Sequence, residues 1–198
     1  MIGENLLTLT SWSLFGIAFS MTLINDWRII LALLLLQYGG VTVLIAESWP
    51  VTIAAVKFLA GLLAAGILAL TLGSIQKSVS FSPNLVLPER VFRALAALLV
   101  GISIISFSEV AGEWFLGASP SQINGGLFLL GLGLIQVGLS ERPLRVIIGL
   151  LTVISGFEIL YATVEGSILM TAFLGGVTLG FAVVGAYLIL VTLEEKPA

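Results

Sequence analysis

From Val51 to Leu72 the chain reads VTIAAVKFLAGLLAAGILALTL, an apolar run interrupted by a single charge, Lys57. As a helix rising 1.5 Å per residue it would extend about 33 Å, close to the roughly 30 Å hydrocarbon core of a bilayer. A membrane strand needs only about ten residues of alternating polarity, and this run neither alternates nor stops there. Only a helix keeps every backbone N–H and C=O of such a segment bonded when its surroundings are lipid.

Outward from this segment the same pattern recurs. Apolar runs bounded by charge, Pro or Gly cover Leu6–Ile24, Ile29–Ala46, Val91–Ala111, Gly125–Leu139, Leu144–Val164 and Ser167–Leu193. With 59% hydrophobic and 10% charged residues, the 198-residue chain could not cover a soluble surface. The reading is an all-α integral membrane protein of seven transmembrane helices, with the lipid bilayer as its first partner. Met1-Ile2-Gly3-Glu4 lacks a basic n-region, so the first run is expected to be a retained span and not a cleaved signal.

Seven crossings put Arg28, Lys77, Arg90, Arg93, Arg142, Arg145 and Lys196 at one face, and Glu4, Glu47, Glu113 and Glu165 at the other. Because basic loops stay in the cytoplasm, the N-terminus is expected outside and the C-terminus in the cytoplasm of a cell whose inner membrane the protein crosses. Trp27, Trp49 and Trp114 near span ends, with the somewhat deeper Trp12, read as interfacial anchors.

The Ser-rich stretch 73–90, with Pro83 and Pro88, reads as a cytoplasmic linker between two similar halves. Arg28-Ile29-Ile30-Leu31 can be laid on Arg145-Val146-Ile147-Ile148, after which Gly39 meets Gly156, Gly61 meets Gly180 and Gly66 meets Gly185. The expected organisation is a three-helix repeat in 1–72, the linker 73–90, a linker helix with an outer loop in 91–124 and a second three-helix repeat in 125–198. Both repeats would run in the same direction.

The chemistry-bearing residue types are sparse. The chain has no Cys and no His, so disulfides, thiolate or imidazole metal sites and cysteine nucleophiles are excluded. No nucleophile stands at catalytic spacing from a base, so no enzymatic activity and no cofactor are expected. The net charge of −3 lies mostly on short loops and says nothing about nucleic acid, but no basic patch exists, so no nucleic-acid partner is expected. Small-xxx-small spacing at Gly61 with Ala65 and at Gly176 with Gly180 predicts close helix packing.

Two ionisable residues stand deep in spans. Lys57 is about 10 Å inside the outer end of the third, and Glu158 lies at the same depth in the sixth. A charge near the membrane centre costs on the order of 2.5–3.5 kcal/mol on insertion scales, so each needs a partner, water or a neighbouring subunit. Equal depth and opposite sign make each the natural partner of the other. The alternative is that Lys57 snorkels outward and Glu158 stays protonated against a hydroxyl. Gln37, Tyr38 and Thr178 are secondary candidates for a polar path, each equally able to close a local hydrogen bond.

Around these residues the sequence resembles component E of hydrogenase-4 and, over its last three spans, the small K subunit of respiratory complex I. The likeness rests on Ala54-Ala55-Val56-Lys57-Phe58-Leu59, on the hairpin Ser140-Glu141-Arg142-Pro143-Leu144-Arg145 followed by Ile148-Gly149-Leu150, and on Phe173-Leu174-Gly175-Gly176. It implies an accessory subunit beside larger antiporter-like subunits, with two intramembrane acids on a proton path. Here those acids fall at Leu151 and near Thr178, neither of them acidic, and only Glu158 could stand in for the first. The rival expectations are a transporter laid out like the SWEET sugar facilitators, and a purely structural or assembly subunit.

Overall fold

The computed structural model describes residues 2–75 and 87–194, and these form seven helices with no strand among them. All seven are long and apolar enough to cross a bilayer. The protein is a multi-pass, all-α membrane protein. In chain order the helices are α1 (Ile2–Leu23), α2 (Trp27–Ser48), α3 (Val51–Ile75), α4 (Leu87–Trp114), α5 (Pro120–Gly138), α6 (Pro143–Val164) and α7 (Ile168–Glu194). Lys77, Pro83 and Lys196 lie outside the described residues. So does most of the expected linker, while Pro88 falls in the first turn of α4.

Local chemistry sets the helix ends. Asp26 caps α2 by accepting from the Arg28 amide at 2.9 Å, and Trp49-Pro50 breaks the chain before α3. Gly117, at φ +100°, makes the turn out of α4 that a residue with a Cβ would resist. Ser119 then opens α5 through a capping box with Gln122, with Pro120 in the first turn.

That box corrects the expected start of the fifth span at Gly125. Ser121, Gln122 and Asn124 are too polar to score as membrane, yet they are helical. Gln122 reaches across to α2, donating to Leu44 O at 2.9 Å and to Ser48 Oγ at 2.8 Å. α4 likewise begins four residues before Val91, because Arg93 bonds Glu89 one turn back and Leu139 O at the end of α5.

The helices stand as two rows. α1, α2 and α3 pack in order, α5, α6 and α7 pack in order, and the rows meet helix by helix, α1 on α5, α2 on α6 and α3 on α7. α4 lies outside this block against α5 and α1. One apolar core, including Leu34, Leu68, Ile148 and Leu151, fills the half nearer the basic face. A second, including Leu14, Leu44, Leu129 and Ile159, joins α1, α2, α5 and α6 nearer the acidic face.

The tightest contact is between α5 and α6, where glycine backbones touch. Gly126 lies opposite Gly156 and Gly133 opposite Gly149, in antiparallel register and two turns apart on each helix. A Cβ on Gly156 would stand 2.6 Å from Gly126 O, and one on Gly133 would stand 2.9 Å from Gly149 O. Small residues let backbones approach where lipid gives no hydrophobic drive to associate.

The packing assigned to Gly176 and Gly180 needs correction. Both are exposed, with nothing within 4 Å of where a Cβ would lie. The buried stripe of α7 runs through Thr171, Leu174, Thr178, Ala182, Gly185 and Ile189, spaced three and four apart. Gly176 and Gly180 are two residues out of phase with Leu174 and Thr178, about 200° around the helix. Gly61, by contrast, is buried under the Tyr38 ring. Glycines matched between the halves thus sit in different surroundings: Gly39 faces open space where Gly156 meets backbone. Trp49 also departs from expectation, since it is 6% exposed and packs in the core as no interfacial anchor would.

The chain has no native cysteine, which makes its topology simple to test. Glu113→Cys and Glu141→Cys, both at exposed positions at opposite ends of the bundle, should label from opposite sides of sealed vesicles, Glu141→Cys from the cytoplasmic side. Labelling from the same side would overturn the seven-span arrangement.

Candidate functional site

Lys57 on α3 and Glu158 on α6 meet across the space between the two rows. Lys57 Nζ donates to Glu158 Oε1 at 2.5 Å, with the two side chains 4% and 5% exposed. Each lies six residues from the outer end of its helix, Val51 or Val164, hence about 9 Å deep. α3 and α6 are not neighbours in either row; the four-carbon stem of Lys57 makes the reach. Such a pair forms because leaving either charge alone in hydrocarbon costs several kcal/mol, and because N–H···O bonds between charged groups are strong where the dielectric is low.

Polarity continues inward from the pair along α6. Ser155 and Thr152 follow Glu158 at helical spacing, both buried, and each returns its hydroxyl proton to its own helix, Ser155 to Leu151 O and Thr152 to Ile148 O. α2 contributes Tyr38, which lies beside Ser155 and within the field of Glu158, and Gln37, whose Oε1 lies 3.4 Å from Thr152 Oγ1. Tyr38 Oη is buried beside the Ser155 hydroxyl, and Gln37 Nε2 is buried without a hydrogen-bond partner.

The string ends near mid-membrane. Leu34, Leu68, Ile148 and Leu151 close it toward the basic face, all at or near zero exposure. Outward, Ala162 lies one turn beyond Glu158 and lines a polar vestibule of about 620 Å³ that also touches Glu47, Trp49, Gln122 and Glu165. Trp49 lines this vestibule and belongs to the same apolar cluster as Ala54 and Ala162.

Four of the five polar candidates, Lys57, Glu158, Gln37 and Tyr38, thus gather between α2, α3 and α6. Thr178 does not join them by a hydrogen bond; it faces inward from α7 and bonds Leu174 O at 3.0 Å. Ser155 and Thr152 were missed in the sequence, although their spacing from Glu158 on one helical face was a readable signal. Among the described residues no group of three His, Cys, Asp or Glu side chains could hold a metal ion. No family model, curated protein or solved structure matches the chain.

Proposed function

We propose that this protein is a small, non-catalytic accessory subunit of a larger ion-translocating complex of the complex I or membrane-hydrogenase type, in the cytoplasmic membrane. The observation that carries the reading is the Lys57–Glu158 pair, buried within the bundle and continued inward by the buried polar side chains Ser155, Tyr38, Thr152 and Gln37. A purely structural bundle gains nothing from such a pair, since apolar residues of similar volume do as well or better. An ammonium and a carboxylate in contact can exchange one proton and leave a neutral amine and acid, which is the elementary step of a relay.

The resemblance noted above supports the same reading in a modified form. The positions where the subunits this chain resembles would carry acids fall here at or near Leu151, sealed in the apolar core, and near Thr178, bonded to its own helix. A proton would therefore not cross this chain unaided. Glu158 serves half a path, from the vestibule to mid-membrane, and antiporter-like partners supply the remainder. A SWEET-like carrier is disfavoured by the packed leucines and isoleucines between α2, α3 and α6, where a solute would have to pass.

Gentle detergent extraction from the native membrane tests the reading. The chain should co-elute with large antiporter-like subunits, and the double variant Lys57→Met with Glu158→Leu, which leaves no lone buried charge, should keep that assembly intact while lowering its ion coupling severalfold. A monodisperse homo-oligomer that moves a solute in liposomes would overturn it. Intact assembly with unchanged coupling would leave only a scaffold.

A further inference from the structure

At the end of the bundle opposite the vestibule, a cleft of about 320 Å³ opens between the start of α4, the α5–α6 hairpin and the α1–α2 turn. Its cations are Arg93, Arg142 and Arg145, against the two acids Glu89 and Glu141. Glu89 is already engaged by Arg93, at 2.9 Å. Arg93 and Arg145 are each 7% exposed and rigidly held. Arg93 donates to Leu139 O at 2.7 Å, and Arg145 donates to Thr22 O at 3.0 Å, to Ile24 O and to Asn25 Oδ1. Arg142 is exposed, and its side chain makes no capping bond at the start of α6.

Three guanidiniums line this cleft against two carboxylates, of which Glu89 is engaged by Arg93 and Glu141 remains, so cationic donors are in excess. Asn25 Nδ2 is buried with no acceptor, while its Oδ1 is taken by Arg145. α6 begins at Pro143, next to the cleft-lining Arg142, so the positive end of its dipole lies beside the cleft. A guanidinium fork, a buried amide donor and a helix N-terminus together are the chemistry of oxyanion recognition. The cleft also lies at the membrane end of the helices, at the depth of lipid headgroups, and basic pockets between helices at this level take anionic headgroups.

We infer that this cleft is a binding site for a phosphate oxyanion, with the exposed Arg142 as its clamp and Asn25, Arg93 and Arg145 as its fixed wall. The group would come from an anionic phospholipid of the adjacent leaflet or from free phosphate. The site is independent of the ion pair and of any partner complex.

Arg142→Gln is the decisive variant, because Arg142 is exposed and its loss leaves the carbonyl contacts of Arg93 and Arg145 in place. Arg90→Gln is the control: Arg90 is exposed at the same face but does not line the cleft. The full chain is placed in nanodiscs of phosphatidylcholine with phosphatidylglycerol, and retained lipid is read by native mass spectrometry; unfolding is followed separately in inorganic phosphate against chloride at equal ionic strength. The native chain should retain phosphatidylglycerol over phosphatidylcholine, with retention about tenfold lower in Arg142→Gln and unchanged in Arg90→Gln. Stabilisation by inorganic phosphate that Arg142→Gln abolishes, without lipid selectivity, would uphold the site and assign it to free phosphate. Equal loss in both variants, or no selectivity for either probe, would overturn it.

Discussion

Glu158→Ala is expected to destabilise the protein by about 3–5 kcal/mol, because it leaves the Lys57 ammonium buried with no counter-charge. The pair is 4–5% exposed, so water does not reach in to compensate. The double variant Lys57→Met with Glu158→Leu should unfold at or above the native transition, since both desolvation penalties vanish with the charges. Unfolding in mixed micelles of rising denaturing-detergent content measures both. If the single variant unfolds like the native chain, the charge pair is not held in a dry environment and the proposed relay loses its basis. If the double variant falls as far as the single, the site depends on specific packing more than on charge. Recovery of stability with lost ion coupling in the double variant would separate the pair's function from its contribution to the fold.

Gly156→Ala should cost about 1–3 kcal/mol, a large effect for one methyl group. The added Cβ would stand 2.6 Å from Gly126 O and 2.7 Å from Leu130 N, both backbone atoms that cannot rotate away, so α5 and α6 must part. The cost should spread to the polar string, since α6 carries Thr152, Ser155 and Glu158 on its inward side. Gly176→Ala and Gly180→Ala serve as counterparts in open space, and each should change stability by no more than about 0.5 kcal/mol in the isolated protein. The same detergent titration distinguishes the two classes. A loss at Gly180 as large as at Gly156 would mean that the exposed stripe of α7 is covered, and the packing of α7 would need redrawing.

These two sites show why different parts of the molecule differ in how readable they are. Span number and helical state follow from the length of apolar runs, because lipid admits no other way to satisfy the backbone. The polar opening of α5 escaped that logic, since Gln122 is tolerated only because Leu44 O and Ser48 Oγ are present on α2 to receive its protons. The glycine contact between α5 and α6 escaped it too. Gly-xxx-Gly spacing drew attention to α7, whereas the glycines that touch stand seven apart on two helices that meet antiparallel. A spacing rule on one helix does not say which face its partner occupies.

By itself, the sequence determined that this chain crosses a membrane seven times, which end of the bundle is basic, and that Lys57 and Glu158 lie at one depth with opposite sign. Those properties depend on transfer from water to hydrocarbon, which each segment undergoes separately. Only the tertiary structure decided that the two charges face each other, that Tyr38 and Gln37 are buried along the same polar string, and that Arg142 lines a cleft with Arg93 and Arg145. Rotation of each helix about its axis makes that difference. It is set by side-chain packing against neighbours distant in sequence, and hydropathy, being nearly the same on every face of α3 and α7, does not encode it.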